Sequence, residues 1–340
     1  MEKKADFLLV NDLHCTSNTL QEFRKNWMEA FDVCERYGIE HILIGGDVFT
    51  SQASQTLPVL MAVKEMFEAG VNRGICFDVA AGNHDKSDKE AVESYCHVFR
   101  NEHINVIDAY NLIGCDDYAI ALISYFPENG SFKEKLEDVK ASCKKYDYDL
   151  DEVILYIHEG VKGALGGLEL DTECEPEWFD GFKAVLCGHY HDRKVLKGTN
   201  IEYIGSSRQH NFGENDLKGY TIVFEDGSYE FVQNEVNIRY RTIEMDYNDD
   251  LDFEEDTRYK TRLKLNCTDA QAKLVDKKKL ADMGINKVEL VTEKVKAVKI
   301  KDTDISQRFD KTGIKKEYKT FCNTKEIEPD LGLKYLDKLS

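Results

Sequence analysis

The first 235 residues predict an α/β fold. Short apolar runs rich in β-branched residues alternate with segments of helical period, a pattern typical of parallel strands joined by helical crossovers. A hairpin at 220–236, turning at Asp226 and Gly227, is expected to complete the sheet system. The predicted strands are 7–10, 41–45, 75–80, 119–126, 152–158, 184–187 and 201–205.

Amphipathic helices are predicted between these strands. In the first, residues 19–38, the apolar Phe23, Trp27 and Phe31 recur at helical spacing, and Gly38 is a natural C-terminal stop. This stripe of large side chains predicts a helix that packs on the sheet. Further helices are expected at 57–69, 88–101 and 131–146.

The pattern changes after the acidic stretch 245–256 and predicts a small β-α-β cap. Its elements are a strand at 258–267, a helical stretch at 268–284 capped by Thr268 or Asp269, and a strand at 285–298. The tail, 304–340, predicts two short helices with exposed apolar side chains, separated near 323–329. Such helices dock either on the parent domain or on a partner.

Three domains are therefore expected. The first is a catalytic-type α/β domain, the second a cap that contacts substrate, and the third a helical tail for partner docking. Their predicted bounds are 1–236, 237–301 and 302–340.

Charge is distributed unevenly along the chain. The net charge is -19, yet residues 258–320 contain 18 Lys and Arg against 9 Asp and Glu, which is +9 and leaves -28 for the remainder. A solvated lysine-rich surface and a nucleic-acid contact both fit this basic region. The charge count alone does not distinguish between these two interpretations.

Composition excludes several classes of protein. The 10 cysteines contain no C-x-x-C pair, which argues against a zinc ribbon or a disulfide framework and favours reduced thiols. No apolar run approaches a signal peptide core or a membrane span, so a cytoplasmic protein is expected. The sequence has no phosphate-binding G-x-x-x-x-G-K-[ST] loop, so the chain is not expected to hydrolyse ATP.

Five of the apolar runs carry a ligand-type or acid–base side chain at the carboxyl end. Ligands bind beyond the carboxyl ends of strands in open α/β sheets, so these side chains are expected in one cleft. Each motif alone also fits a turn or an ion pair, but the shared placement favours a functional site. The residues are Asp12 and His14 in NDLHC, Asp47 in GGDVF, Asn83, His84 and Asp85 in AGNHDKS, His158 after EVILYI, and His189 and His191 in GHYH.

Two Asp, one Asn and four His exceed the four ligands of a single zinc site. They suit two cations held about 3.5–4 Å apart with a shared carboxylate, an arrangement used for displacement at phosphorus. Mixed oxygen and imidazole ligands favour Mn(II), Fe(II) or Zn(II) over Mg(II) or Ca(II). Asp47 is the expected bridge, because Gly45 and Gly46 allow close approach of the backbone.

The ordered set D-x-H, G-D, G-N-H-D, H and G-H-x-H resembles the calcineurin-like metallophosphoesterase superfamily. Within it, GDVFTS and YIGSSRQHNFGEND make the chain similar to DNA-repair nucleases of the SbcD type and to phage recombination nucleases, the meiotic recombination 11 family. The resemblance implies a β-sandwich flanked by helices, with a small cap and a helical tail. The resemblance is strong up to about residue 236. After that residue it concerns only the order of the structural elements.

The resemblance also implies roles for individual residues. His84 is expected to donate a proton or stabilise charge opposite the leaving oxygen, Asp85 to orient its imidazole, and a metal-bridging hydroxide to attack. The two Mn(II) ions are expected to share Asp47. One metal would be held by Asp12, His14, Asp47 and His191, and the other by Asp47, Asn83, His158 and His189.

Thr50, Arg208 and four histidines lie outside the ligand motifs. Many relatives carry a histidine three residues after the bridging aspartate, where this chain has Thr50, so the balance of exonuclease and endonuclease activity does not transfer. Arg208 is a candidate phosphate contact, with a surface ion pair as the alternative. The remaining histidines are interpreted as structural or surface residues: His41, His97, His103 and His210.

The resemblance implies a Mn-dependent DNA exonuclease or endonuclease subunit of a double-strand-break repair complex. Its expected partners are DNA, an SMC-like ATPase of the SbcC type and a second copy of the chain, in a bacterium or in the host cytoplasm of a phage. The alternative is a small-molecule phosphodiesterase such as a cyclic-nucleotide enzyme, which the acidic body suits. Protein phosphatases are disfavoured because G-D-x-V-D-R-G is absent.

Overall fold

The computed structural model describes residues 3–128, 130–165, 174–248, 251–292, 311–324 and 328–338. Two six-stranded mixed sheets form the centre of the fold, and helices flank them. The predicted α/β sandwich is confirmed.

The first sheet has the order β12-β11-β1-β2-β3-β4. Strands β1 to β4 pair in parallel, and β11 pairs antiparallel with β1 and with β12. The predicted hairpin supplies β11 and β12. The strands are β1 Ala5–Val10, β2 His41–Gly45, β3 Cys76–Ala80, β4 Ile104–Val106, β11 Gly219–Phe224 and β12 Tyr229–Gln233.

The second sheet has the order β5-β6-β7-β8-β10-β9. Its four central strands are parallel, and β5 and β9 close the two edges antiparallel. The sequence pattern did not predict β4, β5 or β9, which are short or only partly buried. The strands are β5 Tyr110–Gly114, β6 Ala119–Ile123, β7 Val153–Ile157, β8 Ala184–Cys187, β9 Lys194–Val195 and β10 Ile201–Tyr203.

Alternation along the strands divides the core into layers. In β1, Phe7 and Leu9 join the cluster between the two sheets, whereas Leu8 and Val10 join the cluster under the helices, because successive side chains point to opposite faces. Helices α1 Leu20–Tyr37 and α2 Leu57–Val71 cover the first sheet, and α3 Phe132–Lys145 covers the second. The central strands are therefore buried on both faces, which fixes their carboxyl ends.

Helix α1 agrees with its sequence prediction. Phe23, Trp27 and Phe31 are buried on its inner face, and Gly38 ends the helix in the left-handed conformation at φ 68°. The predicted helix at 88–101, by contrast, is wrong. Only Tyr95–Phe99 is helical there, as a short 3-10 turn.

The buried Lys86 explains why no helix forms before this turn. Its Nζ donates to the carbonyl oxygens of Ala91 (2.8 Å) and Tyr125 (2.6 Å). The Ala91 carbonyl therefore accepts from a side chain, and the Tyr95 amide donates to the carbonyl of Asp85 at 2.8 Å rather than to Ala91. These tertiary contacts bend the segment around the cleft and override its helical period.

A three-stranded sheet with the order β13-β14-β15 follows the sandwich. Thr268 is the cap of α4 and accepts from the Gln271 amide at 3.3 Å. The predicted β-α-β pattern is present as far as residue 292, and the rest of the predicted strand lies outside the described residues. The elements are β13 Arg239–Asp246, β14 Tyr259–Cys267, α4 Asp269–Ala272, α5 Lys277–Asp282 and β15 Ile285–Thr292.

The described part of the tail contains the two expected helices, α6 Lys311–Thr324 and α7 Asp330–Lys338. The chain divides into two compact units, one of 1–243, 253–262 and 280–287, and the other of 244–252, 263–279 and 288–340. The three-domain bounds given above stay a prediction. Among the described helices, none combines the length and the apolarity needed to cross a bilayer.

Replacing Gly70 of α2 by Ala is expected to destabilise the first sheet. An added Cβ would lie 2.3 Å from Cζ of Phe77 and 3.0 Å from Cζ of Phe31, both in the buried core. Overpacking of this kind costs ~1–3 kcal/mol, which exceeds the gain of up to about 1 kcal/mol from the better helix propensity of Ala. Urea unfolding should show a lower free energy of unfolding. Met61→Ala, at a half-exposed site of the same helix, should change it by less than ~0.5 kcal/mol.

Candidate metal centre

The strand ends bring the seven predicted ligands together, and four of them line a cleft with His84. Asp12 and His14 follow β1, Asp47 follows β2, and Asn83 follows β3. On the other sheet, His158 follows β7 directly, and the remaining two histidines follow β8. The cleft has a volume of about 320 Å³ and is lined by His14, Thr16, Thr19, Asp47, Thr50, His84, His189, His191, Arg208 and His210.

The first group of close acceptors contains Asp12, His14 and His191. The two Nε2 atoms of the histidines lie 3.0 Å apart. Oδ1 of Asp12 is 3.9 Å from Nε2 of His14 and 3.8 Å from Nε2 of His191. All three side chains therefore direct an acceptor atom at one point.

The second group contains Asp12, Asp47 and His158. Nε2 of His158 is 3.3 Å from Oδ2 of Asp47 and 3.9 Å from Oδ1 of Asp12. The same Oδ2 of Asp47 is 3.5 Å from Nε2 of His14, so Asp47 reaches both groups. Asp12 reaches both as well, and the geometry alone does not single out Asp47 as the bridge.

Asn83 and His189 lie beside the second group. Nδ1 of His189 is 3.2 Å from Oδ1 of Asn83, and the ring of His189 packs edge-on against His158 at 5.4 Å between centroids. Burial lowers the pKa of His189 to about 4, and that of His14 likewise to about 4. Both imidazoles are therefore neutral near pH 7 and present lone pairs to a ligand.

Two buried acceptor atoms indicate whether the site suits cations. Nδ1 of His158 is 2.9 Å from the carbonyl of Gly45 and so donates to it, which leaves Nε2 of the neutral imidazole with a lone pair. This Nε2 and Oδ1 of Asp12 are buried and have no hydrogen-bond partner among the described residues. Unpaired buried acceptors are costly, and a divalent cation between them removes that cost. The donor set fits such cations.

A proton competes for the same lone pair of His158. Burial disfavours the charged imidazole, but the carboxylate of Asp47 outweighs burial and raises the pKa of His158 well above its ordinary value. The same pairing lowers the pKa of Asp47, although burial acts in the opposite direction. Cation binding at His158 therefore displaces a proton near neutral pH.

Backbone strain concentrates at the candidate ligands. Among the described residues, five non-glycine residues have positive φ, and four of them are ligand candidates. Strained conformations of this kind cost on the order of 1–3 kcal/mol each and persist where the surroundings enforce them. The four are Asp12 (52°), His14 (43°), Asp47 (53°) and His189 (80°).

Main-chain hydrogen bonds enforce these conformations. The amides of Asp12 and His14 donate to the carbonyls of Gly46 (3.0 Å) and Asp47 (2.9 Å), so the loops after β1 and β2 are paired. Gly82 is required for close approach, because a Cβ there would lie 2.2 Å from Oδ1 of Asp47. The amide of His84 donates to the same oxygen at 2.8 Å.

Asp85 does not orient the His84 imidazole as predicted. Its carboxylate instead accepts from the amides of Phe49 and Gly82, both at 2.9 Å, and it is fully buried. Burial, together with the charge of Asp47, raises the pKa of Asp85 to about 7. Nδ1 of His84 is 2.5 Å from the carbonyl oxygen of Thr50, to which it donates. Asp85 therefore fastens the loops together, and the backbone at Thr50 orients His84.

Arg208 is buried rather than in a surface ion pair. Its Nη2 donates to the carbonyls of Leu13 (3.1 Å) and His14 (3.2 Å) and to Oγ1 of Thr19 at 3.3 Å. It lines the cleft, so the predicted phosphate contact stays a prediction. The structure shows that Arg208 also supports the loop that carries His14.

The sequence interpretation missed two residues of the site. His210, interpreted as structural or surface, packs its ring 4.9 Å from that of His14 and 5.0 Å from that of His191. Glu214 accepts from Nδ1 of His191 at 2.9 Å. Both lie in the stretch RQHNFGEND, whose resemblance to relatives was the only available signal.

Comparison with known proteins gives one sequence relative of interest. No protein-family model matches the chain. The chain is 23% identical over 233 residues to the DNA double-strand break repair protein Mre11 of Haloferax volcanii. This match covers 66% of the chain, and the chain spans about half (48%) of the relative's length.

A search of solved structures finds a likeness to the nuclease MPE of Pseudomonas putida. The sequence identity is 13%, with 65% of this chain and 84% of that chain covered and a TM-score of 0.30, too low to support a residue-by-residue equivalence. The assignment depends instead on the ordered motifs, their convergence at the strand ends and the sequence relative. Together these observations make the chain similar to the calcineurin-like metallophosphoesterase superfamily and, within it, to the Mre11 and SbcD type.

Proposed function

We propose that this chain is a metal-dependent DNA nuclease that hydrolyses phosphodiester bonds. The observation that carries the proposal is the pair of unsatisfied buried acceptors, Asp12 Oδ1 and His158 Nε2, clustered with Asp47, which lines the cleft together with His84. Seven oxygen and nitrogen ligands around such a cleft suit two divalent cations. Mn(II) is proposed because the donor set mixes carboxylate, amide and imidazole groups.

The proposed ligand sets are those expected from the resemblance. Bound cations would activate water near neutral pH and neutralise charge on the phosphate. The chain's own residues would hold them: Asp12, His14, Asp47 and His191 for one, and Asp47, Asn83, His158 and His189 for the other.

His84 is proposed to serve the leaving group. Because Nδ1 of His84 donates to the Thr50 carbonyl, Nε2 is the atom left to face substrate. A protonated imidazole in this position donates from Nε2 to the departing oxygen, as general acid catalysis requires. His84 lines the cleft but belongs to neither group of clustered acceptors, in agreement with an acid role rather than a ligand role.

DNA is proposed as substrate on two grounds. The sequence relative is named as a double-strand break repair protein, and the region 258–320 has a net charge of +9 on an otherwise acidic chain. By the same resemblance we propose a repair complex with an SMC-like ATPase of the SbcC type, and a homodimer. The balance between exonuclease and endonuclease activity is not assigned.

His84→Ala is expected to lower kcat by ~10²–10⁴-fold without loss of Mn(II) binding, since proton donation is lost and no ligand is removed. The assay measures Mn-dependent cleavage of linear duplex DNA and of bis-p-nitrophenyl phosphate. His103→Ala is the control, because that side chain is half exposed and paired with Glu102 outside the cleft. Cleavage of the small diester without cleavage of DNA, even with the partner ATPase present, would favour a small-molecule phosphodiesterase instead.

Mn(II) is expected to raise the thermal stability of the metal-free protein. A ligand at 100 times its Kd stabilises the folded state by about 2.7 kcal/mol per site. The pKa of His158 is raised, so a lower pH favours the competing proton and the Mn-induced rise in Tm should shrink as pH falls from 8 to 6. His158→Gln should reduce the rise, whereas His103→Ala should leave it intact. A Tm that does not respond to Mn(II) at pH 8 contradicts the metal site.

Phe321→Asp is expected to weaken binding to the partner ATPase. Ile314 and Phe321 lie seven residues apart, hence on one face of α6, and are 39% and 54% exposed. Asn323→Asp adds the same charge at an exposed position of that helix and is the matched control. Gel filtration or calorimetry with the ATPase should separate the two variants. Equal binding by both would show that this face is not the docking surface.

A further inference from the structure

We infer that Glu214 and His210 are positioning residues for one metal of the proposed pair. The inference rests on the proposed metal-dependent function and concerns the half of the cleft formed by Asp12, His14 and His191. Both residues lie in the segment that follows β10, and neither belongs to the predicted ligand set.

Glu214 holds the imidazole of His191 from behind. Its Oε1 accepts from Nδ1 of His191 at 2.9 Å, and its side chain is only 7% exposed. With Nδ1 as the donor, Nε2 of the neutral ring carries the lone pair that faces His14 and Asp12. A carboxylate on the outer nitrogen of a ligating histidine fixes its tautomer and raises its basicity.

Glu214 is itself held in place. Its Oε2 accepts from the amide of His210 at 3.0 Å and lies 3.3 Å from Nζ of the buried Lys218. Lys218 also donates to Oδ1 of Asp192 (2.8 Å) and to the carbonyl of His191 (2.6 Å). Loss of the Glu214 charge therefore leaves Lys218 with other partners, and variants at 214 are expected to fold.

His210 secures the strained backbone of Asp12. Its Nε2 donates to the carbonyl oxygen of Asp12 at 2.8 Å, and Asp12 has a φ of 52°. The ring fills the space beside His14 and His191. His210 thus restricts both the backbone and the side chains of this half of the cleft.

The other half is supported differently. Nδ1 of His158 donates to the Gly45 carbonyl at 2.9 Å, and His189 contacts Asn83. Within the described residues, the hydrogen bonds and ring contacts given for Glu214 and His210 do not involve these three side chains. In the proposed ligand sets Asp12 serves only this half, so removing Glu214 or His210 should weaken one metal. Because Oδ1 of Asp12 also lies 3.9 Å from Nε2 of His158, the loss is expected to be most selective for Glu214, which contacts His191 alone among the ligands.

The test is Mn(II) titration of the full-length protein by calorimetry, with electron paramagnetic resonance to detect coupled manganese pairs. Glu214→Ala should weaken one of two Mn(II) affinities by ~10–100-fold and diminish the coupled signal at limiting Mn(II). Glu214→Gln, which keeps an acceptor at Nδ1 of His191, should lose less. His210→Phe keeps the ring but not the donor, and should also weaken one site. Asp216→Asn, exposed in the same segment, removes the same charge as control.

Each outcome decides a separate point. Two unaltered affinities in Glu214→Ala, or an equal loss at both sites, would overturn the inference while leaving the proposed function intact. A wild-type protein that binds no Mn(II) rejects the proposed function, and the inference with it. Thermal unfolding of each metal-free variant identifies a folding defect, and Glu214→Gln and His210→Phe carry the test if Glu214→Ala does not fold.

Discussion

The close approach of buried carboxylate and imidazole groups is the constraint on which this structure depends. Two imidazole nitrogens lie 3.0 Å apart, and carboxylate oxygens of Asp12 and Asp47 lie 3.3–3.9 Å from histidine Nε2 atoms. Buried groups of this kind disperse unless the fold holds them or a cation neutralises them. The positive φ angles at four of these positions show that the backbone, too, is held away from its preferred state.

The sandwich supplies the rigidity that this arrangement requires. Its central strands are buried on both faces, so the loops at their carboxyl ends start from fixed points. Those loops are then linked across the cleft, by the amides of Asp12 and His14 from one side and by the carboxylate of Asp85 from another. The energy stored in the site is balanced by packing in the core, where large side chains such as Phe31, Phe77 and Tyr156 are fully enclosed.

Sequence patterns predicted the parts of the molecule that depend on local periodicity. The long strands, helices α1 to α3 and the convergence of the motifs followed from apolar period and from the rule for strand ends. The helix predicted at 88–101 is absent because Lys86 ties the segment to the distant Tyr125 carbonyl and the Tyr95 amide donates to Asp85 instead of to Ala91. Periodicity carries no information about such contacts.

The roles of His210, Glu214 and Asp85 were not predicted from the sequence for the same reason. His210 acts on the carbonyl of Asp12, 198 residues earlier in the chain, and Glu214 acts on His191 across a separate loop. Asp85 was assigned to its neighbour in sequence, His84, but serves the amides of Phe49 and Gly82. Side chains that act on other residues of a site are recognised by geometry, because their partners are close in space and unrelated in sequence position.

Thr50 stands where many proteins of the resembled family carry a histidine. Here the carbonyl of Thr50 accepts from Nδ1 of His84. A backbone carbonyl accepts but cannot donate, so it selects the tautomer of the neutral His84 ring that carries its proton on Nδ1. Thr50 lies in the loop after β2, which is tied to Cys15 and to Asp85, so the orienting group is as rigid as the ligands. Orientation of His84 here is therefore a property of the loop conformation, and substitution of the Thr50 side chain alone leaves that contact in place.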